Sequence, residues 1–141
     1  MNLHSAAIVI QLRVTGAMIA LLVLVNLVVP RRFHWREEMA RLSLLNRQIF
    51  QVHAVFLVLI LAMMSALLLT SADALLVPGR LSRALLTGLV LFWGLRMAMQ
   101  WWFYSPETWR GNSFNTLMHI VFSTMWIYMT AVFGMARWLI R

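Results

Sequence analysis

The sequence predicts an all-α integral membrane protein: a four-transmembrane-helix up-down bundle with a short amphipathic interfacial helix between the first two spans. Two observations of composition and patterning lead there. Apolar residues fill 62% of 141 positions and charged residues only 11%, against roughly 45–50% and about 25% in soluble domains. The apolar positions gather into four stretches, residues 6–29, 48–70, 82–104 and 114–137, each near the ~20 residues an α-helix needs to cross the hydrocarbon core. What remains between them is short and rich in turn and cap signals. Residues 1–141 therefore form a single integral membrane domain, with no room for a separate soluble one.

The first span lacks the basic leader and small-residue cleavage site of a signal peptide, and its apolar run is too long for one, so it reads as a retained helix. The connection that follows carries Arg31, Arg32, Arg36, Arg41 and Arg47. An excess of basic residues marks a cytoplasmic loop, which puts both termini in the periplasm. Within the connection Trp35, Met39, Leu42 and Ile49 recur at helical spacing, and Glu37 precedes Arg41 by one turn. These predict an amphipathic helix on the cytoplasmic surface that runs into the second span.

After the second span, Ser71-Ala72-Asp73 starts a short turn that Pro78-Gly79 ends. Beyond the third, Ser105-Pro106-Glu107 has the cap, proline and acid of a helix start. Gly111 breaks that turn, and Asn112 or Ser113 caps the fourth span.

All twelve basic residues are arginine, giving a formal charge of +8. Arginines flanking apolar spans meet lipid headgroups, so the charge does not indicate a nucleic-acid partner. The absence of lysine fits a GC-rich genome and hence a bacterial inner membrane. Without cysteine there is neither a disulfide framework nor a thiolate metal site. No phosphate-binding glycine loop, His-Glu-x-x-His motif or nucleophile elbow is present, so no autonomous enzyme activity is expected. The eleven methionines serve adaptable packing rather than copper, because Met97 and Met99 project about 160° apart on a helix.

The polar residues within the spans hold the functional signal. On the fourth, Asn112, Asn115, His119, Ser123, Trp126, Thr130 and Arg137 fall within roughly 40° of His119 at about 100° per residue. On the third, Trp93, Arg96, Gln100 and Tyr104 share an arc of about 80°, and on the first, Gln11, Thr15 and Asn26 share about 60°. Polar groups in a bilayer are costly and normally face other helices or a water-filled cavity. At 1.5 Å per residue Asn26, His53, Gln100 and His119 lie about 5–10 Å inside one surface and Arg96 about 12 Å inside, so they form one layer.

Candidate ligand-contacting residues are thus Asn26, His53, Arg96, Gln100, Tyr104, Asn115 and His119. Two facing histidines, His53 and His119, could be axial ligands of haem b, with Arg96 pairing a propionate. The four-helix layout is similar to that of small haem-bearing membrane anchor subunits, a likeness of architecture that carries no function. A quinone headgroup would use His119, Gln100, Arg96 and Tyr104 as donors to its carbonyl oxygens.

The alternative function is a proton, ion or small-solute conduit lined by the fourth span and formed as an oligomer. A purely structural use, in which amides and imidazoles glue helices together, is also open. Arg96 weighs against it, since every acidic residue lies in a connection. The sequence therefore points to a small subunit or accessory protein of a membrane complex. Its partners are the lipid bilayer and either other membrane subunits or further copies of itself.

Overall fold

The computed structural model describes residues 3–32, 35–105, 107 and 109–141, and only the backbone of residues 29–32, 36 and 38. The side chains of Arg31, Arg32 and Arg36, which the sequence assigns to a cytoplasmic cluster, lie outside the described residues, as does Pro106 of the expected helix start.

Four helices are long and apolar enough to cross a membrane, and no strand occurs among the described residues. The long helices are α1 (Leu3–Arg32), α3 (Leu44–Thr70), α5 (Arg80–Trp102) and α6 (Ser113–Leu139). Two short ones, α2 (Trp35–Ala40) and α4 (Ala72–Leu75), occupy the connections where sequence expects an interfacial helix and a turn. The fold class is that of a multi-pass, all-α membrane protein. Each long helix exposes large apolar side chains, among them Leu24, Val55, Leu91 and Ile127. In a bilayer such surface meets acyl chains.

The chain divides into two units, one of residues 13–72 and the other of residues 1–12 with 73–141. In the first unit α1 buries Thr15, Ile19 and Leu22, and α3 buries Leu61, Ser65 and Leu68, each at the three- and four-residue spacing of one helix face. The two helices approach closely at Gly16. A Cβ there would stand 3.0 Å from Leu68 Cβ and 3.1 Å from Leu69 Cγ. The Ser65 hydroxyl donates to the Gly16 carbonyl at 2.9 Å, a buried interhelical bond of the kind that holds helices together in lipid.

The interfacial helix stops at Ala40 instead of running into the second span. Leu42 N–H bonds back to Met39 O at 3.1 Å. Ser43 then takes extended backbone and its Oγ accepts from Asn46 N–H, starting α3 afresh. A serine cap competes with helix continuation because its hydroxyl satisfies an otherwise orphaned N–H. Trp35 packs edge-on against Phe50 across the break, with centroids 5.3 Å apart.

In the second unit α5 and α6 are antiparallel neighbours, as paired contacts along their length show: Thr87 with Arg137, Trp93 with Trp126, and Gln100 with His119. Their core is Leu86, Leu89 and Trp93 against Trp126, Met129, Val132, Phe133 and Ala136. At its far end Arg137 Nε donates to Thr87 Oγ1 at 3.1 Å. The Tyr128 hydroxyl donates to Gln11 Oε1 of α1.

Gly111, at φ 89°, turns the chain into α6, a left-handed conformation that favours glycine. Asn112 caps the helix, its Oδ1 accepting from Phe114 N–H at 3.0 Å and Asn115 N–H at 3.1 Å. Asn112→Ala is expected to cost about 1 kcal/mol, read as a lower midpoint in detergent-denaturation curves followed by circular dichroism.

Candidate functional site

The polar residues of α5 and α6 meet in one cluster whose centre is Gln100, 5% exposed. Arg96, one turn earlier on α5, donates from Nη1 to Gln100 Oε1 at 3.1 Å. Trp126 of α6 donates from Nε1 to the same oxygen at 3.4 Å. Arg and Trp side chains only donate, so the shared atom must be the amide oxygen. The amide nitrogen therefore faces His119, with Nε2 3.1 Å from Nδ1. An amide nitrogen donates, so His119 Nδ1 is the acceptor of this bond.

Aromatic rings surround these groups. The Arg96 guanidinium lies over the Trp126 ring, 4.8 Å from its centroid, a favourable cation–π placement. Trp93 and Phe122 both stack on Trp126, with centroids 5.2 Å and 5.8 Å away. His119 stacks nearly parallel on Trp109 at 4.5 Å and 3°. Thr116 fixes the backbone beneath that stack by donating to Trp109 O at 2.6 Å. Arg110 covers Trp109, its Cζ 5.2 Å from the ring centroid.

Among the described residues the cluster has more donors than acceptors. Gln100 Oε1 is taken twice, and both partners that Arg96 shows are uncharged. Trp93 Nε1, Trp109 Nε1 and Ser123 Oγ are buried and have no hydrogen-bond partner among the described residues. Trp93 and Trp109 stack on members of the cluster, and Ser123 lies one turn from His119 on α6. Buried polar groups left without partners are uncommon and mark a place where a water or ligand completes the bonding.

Of the residues singled out from sequence, Arg96, Gln100 and His119 are brought together here. Tyr104 is exposed beyond the end of α5, and Asn115 contributes a backbone N–H to the α6 cap. His53 and Asn26 belong to the other unit, where each bonds its own helix. His53 Nδ1 donates to Ile49 O at 2.8 Å and Asn26 Nδ2 to Leu22 O at 2.8 Å. His53 thus keeps its Nε2 lone pair outward, the form in which histidine binds metals, whereas His119 does not. Among the described residues no three His, Asp or Glu side chains gather as a metal site.

Sequence reasoning missed the part of Trp109. As a tryptophan near a span end it reads as an interfacial anchor. The cue was Gly111 close behind it, which turns the connection, together with Thr116, one turn into α6 from its Asn112 cap. No protein family, curated protein or solved structure matches the chain.

Proposed function

We propose that the chain is a small subunit or accessory protein of a bacterial inner-membrane complex, and that α5 and α6 hold the headgroup of a membrane quinone. The observation that carries this reading is the surplus of donors around Gln100. Arg96 and His119 Nε2–H offer hydrogen bonds, the indole N–H groups of Trp93 and Trp109 are buried with no acceptor among the described residues, and the Gln100 amide oxygen is already shared. The complementary ligand is rich in acceptor oxygens and soluble in the bilayer. A quinone has two carbonyl oxygens to accept from these donors and an apolar ring that partitions into the bilayer. In this reading the first connection faces the cytoplasm and both termini the periplasm, the orientation its arginines favour.

Titrating a short-chain benzoquinone into nanodisc-embedded protein tests the proposal through quenching of tryptophan fluorescence. Saturable quenching is expected, and His119→Phe, which keeps a ring beside Trp109 but removes both nitrogens, should weaken it about tenfold. Quenching that rises linearly without saturation, or that is unchanged in the variant, rejects the site.

A further inference from the structure

We infer that Gln100 is a positioning residue that holds His119 as a hydrogen-bond donor through Nε2, so that this imidazole serves an acceptor oxygen and not a metal. The reasoning runs along one chain of bonds. Arg96 Nη1 and Trp126 Nε1 converge on Gln100 Oε1 at 3.1 and 3.4 Å. Turning the amide over would set its NH2 against two groups that can only donate, leaving all three without acceptors in a site where Gln100 is 5% exposed.

The amide is therefore fixed from one side, and its NH2 at 3.1 Å fixes the lone pair of His119 on Nδ1. Iron or another metal at His119 Nε2 would need the opposite tautomer, with Nδ1–H donating to an acceptor. Gln100 cannot supply that acceptor while Arg96 and Trp126 hold its oxygen.

Gln100→Glu reverses the logic with almost no change in shape. One carboxylate oxygen still accepts from Arg96 and Trp126, and the other now accepts where the amide donated. His119 is then expected to carry a proton on Nδ1.

The test is imidazole nitrogen NMR on the full-length, ligand-free protein in nanodiscs, labelled with 15N-histidine, with the His119 signals identified by their loss in His119→Gln. In the parent protein, Nε2 should show the shift of a protonated nitrogen and Nδ1 that of an unprotonated one, and Gln100→Glu should move Nδ1 to the protonated range. A parent protein protonated at Nδ1 overturns the inference even if the variant does not fold. So does a folded Gln100→Glu protein with an unchanged His119 spectrum.

The role of His119 toward an acceptor oxygen rests on the quinone reading, but the tautomer does not. The inferred tautomer without saturable quinone binding removes only the ligand. The reverse tautomer removes this inference whether quinone binds or not.

Discussion

Replacing Arg96 with methionine is expected to leave the fold within about 1 kcal/mol of the parent while weakening quinone binding tenfold to a hundredfold. The two effects separate because the cation is held at a cost. A charged side chain at the centre of a bilayer is unfavourable by roughly 2.5–3.5 kcal/mol on insertion scales. The contacts that offset it among the described residues are one charge-assisted hydrogen bond within α5, to Gln100, about 1.5–3 kcal/mol, and one cation–π contact of about 0.5–1 kcal/mol.

Removing Arg96 leaves Gln100 Oε1 still accepting from Trp126 Nε1, so no acceptor is orphaned. Methionine can fill the space beside the Trp126 ring with a flexible, polarisable chain. A ligand carbonyl, by contrast, loses a charged donor worth about 1.5–3 kcal/mol. Reversible unfolding in mixed micelles measures the first quantity and quinone titration the second. A loss of more than 2 kcal/mol in stability with binding unchanged would mean that Arg96 is structural glue.

Gly16→Leu is expected to destabilise the α1–α3 pair by about 1–3 kcal/mol, the range for overpacking. At this position the neighbouring atom is Leu68 Cβ, 3.0 Å from where a Cβ would stand. A Cβ cannot rotate away as a side-chain tip can, so the helix backbones must part. Parting them lengthens the 2.9 Å bond from Ser65 to Gly16 O. Gly16→Ala should cost less, because it adds the Cβ alone, and a gain in helix propensity of about 1 kcal/mol offsets part of that strain. Equilibrium unfolding of the two variants checks the order, and equal stabilities would show that the pair is not closely packed at Gly16.

The four spans, a cap at Asn112 or Ser113 and the Gly111 break were legible in the sequence because length, hydropathy and cap chemistry are local properties. The grouping of Arg96, Gln100 and His119 was legible too, since helical period and rise place them on facing stripes at one depth. What local rules could not reach was the identity of the neighbours. Ser43 ends the interfacial helix because one hydroxyl outcompetes the amphipathic period that Leu42 and Ile49 continue.

On the second span Asn46, His53, Ile60 and Met64 align within about 40° at helical period. The face α3 buries is Leu61, Ser65 and Leu68, about 60–120° round the helix from His53. In a helix apolar on all sides, packing follows where a partner fits, here the notch at Gly16, and not where the few polar residues lie. Trp109 was hidden because its position depends on a positive φ two residues later and on a single hydroxyl contact.

The most direct test of the donor-rich site is the infrared difference spectrum of a bound quinone carrying 13C-labelled carbonyl groups. Hydrogen bonds from Arg96 and His119 should lower its carbonyl stretching frequency relative to the same quinone free in the lipid. The lowering should shrink in Arg96→Met and again in His119→Phe. A carbonyl band at the lipid frequency in the parent protein, or a lowered band that neither variant moves, contradicts the assignment of these residues as the donors.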